Sequence, residues 1–323
     1  MTETTGMHTG PARLYALLLK LRPLQQGTLM PFSGELVHGA FLKWLTGAAP
    51  DVAAWLHEGQ KRRLFTCSSL HFPRPTQRFL HAERENIHLP LDPDKTYTLR
   101  LTLLLGDLFP LFYNALMSAN VTQAGTNSAP FLRLGKQLFL LEEILLTNDD
   151  NDTTAGWTGF TSLTTLVEQA KEMRLASNPS LTLEFASLTT FSRIAGKTGY
   201  GTHHAMFPLP QFVFSNLLRR WEDVAPPELA PLIQRERLEQ YLLEDGIIVT
   251  DYELNAHHVH FTTHMQRGFV GSCTYQLRGR DERGDAEIAL SLHQQIYFLA
   301  QLAFYSGVGY KTAMGLGQVR FRS

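Results

Sequence analysis

The segment Gly307-Val-Gly309-Tyr-Lys311-Thr-Ala-Met-Gly315-Leu-Gly317 places four glycines in eleven residues, as two Gly-x-Gly pairs around a lysine. Glycine tolerates positive φ and lets backbone N–H groups come close to a phosphate, and Lys311 adds a point charge at the same place. A dinucleotide-binding fingerprint is excluded, because it needs glycine where Thr312 stands and a preceding strand. A Walker A loop is excluded as well, since this stretch has no Gly-Lys pair. A plain helix-to-strand connection explains one or two glycines, but hardly four.

On its N-terminal side lies a helical pattern over 288–304, with Ile288, Leu292, Ile296, Leu299 and Ala303 on one side. On its C-terminal side a short strand is expected over 318–321. Further upstream, 180–188 alternates as a strand and 192–204 is a Gly-, Thr- and His-rich loop. Residues 209–222 and 228–243 carry helical patterns joined across Pro226-Pro227, and strands are expected over 247–262 and 269–277.

The first half has the same order. Residues 13–22 form an apolar run closed by Pro23, expected to be a buried strand. Ser33 precedes a helical stripe of Val37, Phe41 and Leu45, and suits an N-cap, with Glu35 favourable in the first turn. Strands are expected over 63–72, 78–88 and 95–105, a helix over 107–119, and a strand or strand pair over 131–146. The acidic, aperiodic stretch 147–156 is expected to be a surface loop, and a short helix over 161–171 follows. Two runs of strand–helix–strand–strand–helix–strand predict an α+β chain of tandem ferredoxin-like (RRM-like) domains, 1–172 and 173–323.

Composition bounds the function only loosely. The chain has 323 residues, 44% of them apolar, and a formal net charge of −1. That length fits two domains. The charge gives no global basic signature, but a local basic face suffices for RNA. Charge is unevenly spread: 142–152 carries five acids and no base, whereas 288–323 carries Lys311, Arg320 and Arg322 and no acid. Cys67 and Cys273 lie far apart, which fits a reducing cytoplasm and neither a disulfide framework nor a zinc knuckle. No apolar run approaches the length of a membrane span, and the polar N-terminus lacks a signal-peptide pattern.

The spacing of Gly307, Gly309, Gly315 and Gly317, with apolar Val308 and Leu316 between them, resembles the C-terminal glycine signature of the RAMP superfamily. More narrowly it resembles that of the CRISPR repeat-processing endoribonucleases, the sixth Cas protein family. Residues 181–191, Arg193, Lys197 and the 209–221 segment are similar to the strand, loop and helix that open the family's second domain. Gly268-Phe-Val-Gly271 is similar to a later strand, and 36–45 to the first-domain helix that bears the family's histidine.

This resemblance implies metal-independent cleavage at the base of a CRISPR repeat hairpin. The ribose 2′-OH would attack the adjacent phosphorus, leaving a 2′,3′-cyclic phosphate and a 5′-OH. His38 matches the family's catalytic histidine, and Lys43 is a second catalytic candidate. Without the resemblance, His38 reads rather as a partly buried structural histidine beside the Val37/Phe41/Leu45 stripe, and Lys43 as a solvated flank. Five residues apart, the two are about 140° apart on an ideal helix. Tyr15, the nearest upstream tyrosine, does not sit at the spacing of the family's tyrosine.

Arg193, Lys197, Arg219, Arg220 and Lys311, with the four glycines, are the candidate RNA contacts. No cofactor and no metal are expected. His258, His260 and His264 alternate on one strand face, but no acid or cysteine stands at ligand spacing. His203 and His204 lie in a loop suited to RNA. Under the resemblance the partners are the repeat hairpin and its processed guide RNA, in the cytoplasm of a prokaryote. Further Cas effector subunits and a homodimer stay open, as does a non-catalytic guide-RNA-binding role in the same superfamily.

Overall fold

The computed structural model describes residues 12–57, 64–71, 77–118, 130–147, 156–173, 178–194, 202–279 and 290–322. In chain order the strands are β1 (Arg13–Pro23), β2 (Gly27–Leu29), β3 (Phe65–Cys67), β4 (Leu89–Leu91), β5 (Tyr97–Leu103), β6 (Phe131–Leu134), β7 (Gln137–Leu145), β8 (Gly159–Ser162), β9 (Ser180–Thr189), β10 (Phe191–Ile194), β11 (Thr202–Ala205), β12 (Ile247–His260), β13 (Met265–Leu277) and β14 (Val319–Arg322). The helices are α1 (Gly34–Ala48), α2 (Pro50–His57), α3 (Gln77–Glu85), α4 (Leu108–Ser118), α5 (Leu163–Glu172), α6 (Pro210–Val224), α7 (Arg235–Leu243) and α8 (Leu292–Ser306).

The chain divides into two compact units. The first holds 1–160 with 259–266 and 313–315; the second holds 161–258, 267–312 and 316–323. The expected boundary at 172 is therefore displaced. The reason is the apolar face of α5, where Leu163, Leu166, Val167 and Ala170 are buried and the helix packs on α8.

In the first unit the sheet order is β3-β5-β1-β7-β6, with β8 also paired to β1. Central β1 runs antiparallel to both neighbours, with Leu19 opposite Leu99 of β5 and Ile144 of β7. A strand with a neighbour on each edge and both faces covered needs a continuous apolar run, which its sequence supplies. Helix α1 buries the expected stripe of Val37, Phe41 and Leu45. Phe41 meets Phe65 of β3 and Phe112 of α4, at 4.4 and 5.8 Å between ring centroids.

The second unit orders its sheet β12-β13-β9-β14. Numbered in chain order within each unit, the second sheet reads 2-3-1-4, and the first reads 2-3-1 with the β6–β7 hairpin in the fourth place, which is ferredoxin-like topology twice over. Residues Leu181, Leu183 and Phe185 of β9 are buried, and Trp221 of α6 meets Phe298 of α8 edge-on at 4.9 Å. Helix α8 starts at a capping box, Ser291 with Gln294.

Several local expectations are corrected. Residues 77–85 form helix α3 rather than part of a strand; Gln, Arg, Leu, Ala and Glu favour helix and no β-branched residue opposes it. The expected loop at 192–204 is paired at both ends, Arg193 lying opposite His203 across β10 and β11. The expected helix over 228–243 is a 3-10 turn (Ala230–Leu232) followed by α7, interrupted where Pro231 removes a donor. Ser33 precedes α1 without capping it; its hydroxyl accepts from the backbone N–H of Leu70 instead. The acidic loop expected at 147–156 falls mostly outside the described residues.

Candidate functional site

Histidine 38 lies on the buried side of α1 and is 7% exposed. Its ring stacks near-parallel on Phe65 of β3, 5.5 Å between centroids and 12° between planes. Its Nδ1 lies 2.9 Å from the carbonyl oxygen of Ala313, 275 residues away. A carbonyl only accepts, so Nδ1 carries the proton and donates. In the neutral ring Nε2 is then the acceptor, and in the charged ring it is a second donor.

Ala313 belongs to the glycine segment, whose residues 313–315 group with the first unit. The Met314 carbonyl oxygen presses on the start of α1, where a Cβ built on Gly34 would meet it at 2.1 Å. A Cβ on Gly315 (φ +94°) would lie 3.1 Å from both the Phe32 ring and the Ser69 hydroxyl. Cys67, fully buried on β3, donates its thiol to the same Ala313 carbonyl at 2.9 Å. Lys43, on the same helix as His38, is exposed.

The rest of the glycine segment packs within the second unit. The N–H of Val308 donates to the carbonyl of Gly317, and the N–H of Gly317 to that of Leu188. Gly309 donates to Asn216 Oδ1 on α6 at 2.9 Å. A Cβ on Gly317 (φ +65°) would lie 2.1 Å from the Val308 oxygen, and one on Gly309 (φ +94°) 2.6 Å from the Thr190 oxygen. Gly307 (φ +62°) closes α8 as its C-cap. Close backbone packing thus accounts for the glycines without a ligand.

The basic candidates separate. Arg220 is 9% exposed, and its guanidinium donates to Thr312 Oγ1 at 2.6 Å, so it braces the glycine segment from inside. Arg219 is exposed, with Nε on the Ser215 carbonyl one turn back. Lys311 Nζ lies 5.4 Å from the centre of the Tyr310 ring, and His204 packs on the same ring at 5.0 Å. This places His204, Tyr310 and Lys311 together, a grouping the sequence alone does not show. Arg193 has its backbone in β10; its side chain and all of Lys197 fall outside the described residues.

Two histidines of the 257–264 stretch have other engagements. His260 Nε2 lies 2.8 Å from the Arg84 carbonyl, and the His264 ring stacks on Phe261. Among the described residues no three His, Cys, Asp or Glu side chains gather as a metal-ligand group. Also among them, no helix is long and apolar enough to cross a membrane.

The 2-3-1 strand order repeated in both sheets defines a class, the tandem ferredoxin-like proteins. Within that class the likeness is to one family: residues 183–319 match the model described as CRISPR-associated endoribonuclease Cas6. A curated protein of that description from Streptococcus thermophilus is 29% identical over 119 residues, which is 36% of this chain and 43% of that protein. The chain thus matches less than half the length of this curated relative. Among solved structures, a Thermus thermophilus Cas6 product complex is 25% identical, with a TM-score of 0.69 over 96% of this chain and 100% of that one. A second Cas6 product complex is also 25% identical, with a TM-score of 0.64 over the same shares. Residues 183–319 are thus similar to the Cas6 family, and the chain as a whole shares the fold of these solved structures.

Proposed function

We propose that this chain is a metal-independent endoribonuclease that cleaves CRISPR precursor RNA within the repeat and so generates guide RNA. The nucleophile is the substrate's own 2′-OH. The protein must therefore move protons and stabilise charge on the phosphorane. His38 is the proton-transfer group. With Nδ1–H held by the Ala313 carbonyl, Nε2 either takes the proton of the 2′-OH or, when charged, delivers one to the departing 5′ oxygen. The products are a 2′,3′-cyclic phosphate and a 5′-OH.

The observation that carries this reading is the anchoring of His38. A histidine stacked on an aromatic ring, with one nitrogen committed to a backbone carbonyl, presents the other in a single tautomer and orientation. Lys43, exposed on another side of α1, is assigned to the RNA backbone near the cut rather than to the proton transfer. Arg193, Lys197, Arg219 and Lys311 supply phosphate contacts, with Tyr310 and His204 offering rings beside Lys311. Arg220 and the four glycines serve RNA binding indirectly, by fixing the shape of the segment that carries Lys311. The RNA partners are the repeat hairpin and the product guide.

The test is cleavage of labelled repeat RNA in excess EDTA, beside the same RNA with a single 2′-deoxy nucleotide at the cut site. Undiminished cleavage in EDTA, a 2′,3′-cyclic phosphate on the upstream product and complete block by the deoxy substitution are expected. A requirement for divalent metal, or cleavage of the deoxy substrate, would contradict the proposal.

A further inference from the structure

We infer that Cys67 is a positioning residue for His38, acting through the carbonyl of Ala313; the inference rests on the proposed role of His38. Two donors from different elements converge on one backbone oxygen, the imidazole Nδ1–H from α1 and the thiol from β3, each at 2.9 Å. A carbonyl oxygen has two lone pairs, and here both are taken by side chains of the first unit. Cys67 is 0% exposed, Ala313 6% and His38 7%.

The thiol fixes the direction in which the carbonyl presents its second lone pair, and that direction sets the plane of the His38 ring. Phe65, two residues before Cys67 on β3, stacks on the same ring. One short strand therefore supplies both the face against which the imidazole lies and the donor that steadies its acceptor. Gly34 belongs to the same arrangement, since only a residue without Cβ lets the Met314 carbonyl come so close to α1. In this reading residues 313–315 of the glycine segment orient the histidine through their backbone. An orienting partner for a catalytic histidine is commonly a carboxylate; here it is a peptide carbonyl held by a thiol.

A small misalignment of a proton-transfer group is costly in rate while leaving substrate affinity alone. The experiment compares Cys67→Ala, which removes the donor, with Cys67→Ser, which keeps one, in the full-length protein. Three quantities are read: the single-turnover cleavage rate at saturating repeat RNA, the RNA dissociation constant, and the ¹⁵N resonances of the His38 ring, which report its tautomer. For Cys67→Ala a rate loss of about tenfold is expected, with affinity within about twofold and a His38 signal of mixed tautomers. Cys67→Ser is expected to recover most of the rate and the single Nδ1–H tautomer.

An unchanged tautomer in Cys67→Ala overturns the inference, whatever the rate does. A rate loss that serine does not recover also overturns it, since that marks a packing role only. If the wild-type protein cleaves no RNA, the functional reading fails by itself, and the ring resonances of the three proteins still decide whether Cys67 orients His38.

Discussion

At the scale of single residues, the glycine segment is explained by what surrounds it. Gly317 combines a positive φ with a Val308 oxygen 2.1 Å from the place a Cβ would take. Gly317→Ala therefore adds backbone strain to a steric conflict that no flexible side chain can relieve. A loss of about 3 kcal/mol is expected, seen as a lower urea midpoint at unchanged slope. These contacts also show what a sequence can and cannot display. The four glycines of the 307–317 segment suggest in sequence a backbone approaching a phosphate, whereas in the structure their close approach is to other parts of the protein. Their neighbours are carbonyl groups, which every residue has, so the partners left no mark in the sequence. For the same reason Ala313 and Cys67 escaped notice as neighbours of His38: the link runs through a peptide oxygen 275 residues away in the chain. His38 itself became legible only through the family resemblance, because a histidine on an amphipathic helix has no distinctive spacing.

At the scale of elements, β9 and β14 are joined by more than their ladder. Arg320 and Arg322 of β14 both hold Glu184 of β9, at 2.5 and 2.8 Å. Partial burial alone would raise the Glu184 pKa, but the hydrogen bonds and charges of the two arginines outweigh it and lower the pKa below the ordinary carboxylate value. A depressed folded-state pKa stabilises the fold fully above the unfolded-state value, and the contribution disappears as pH falls through the folded-state value. Glu184→Gln should therefore reduce stability at neutral pH, by about 1 kcal/mol at most given the solvent access of the group. The difference from wild type should vanish in acid; a deficit that persists there would assign the loss to packing. Elements with clean periodicity were readable in advance: β1, α6 and α8 fall close to where their apolar patterns put them. Helix α3 and the β10–β11 pair were not, since both are short and their ends depend on partners distant in sequence.

At the scale of the whole molecule, the net charge of −1 means that the proposed RNA binding would depend on a few placed cations rather than on bulk attraction. Besides Lys43 on α1, Arg219 and Lys311 are the described candidates whose side chains are not buried. Replacing either by alanine should weaken binding of repeat RNA and reduce the slope of log affinity against log salt by about 0.7–0.9, one phosphate contact's worth. Arg220→Ala should instead show its deficit in urea unfolding, with Thr312 left without its buried donor. An unaltered salt slope in both variants would remove these residues from the interface. The duplicated ferredoxin-like topology was legible from element order alone. The displaced boundary was not, because α5 joins its unit through a face that contacts α8, far along the chain.

His38 carries the proposed chemistry, and the most direct measurement is single-turnover cleavage of repeat RNA by His38→Ala alongside equilibrium binding of the same RNA. General acid–base catalysis by one side chain contributes about 10²–10⁴-fold. A rate loss of that size with affinity preserved is the predicted result. Cleavage by His38→Ala within about threefold of wild type would contradict it, since a proton-transfer group cannot be removed so cheaply.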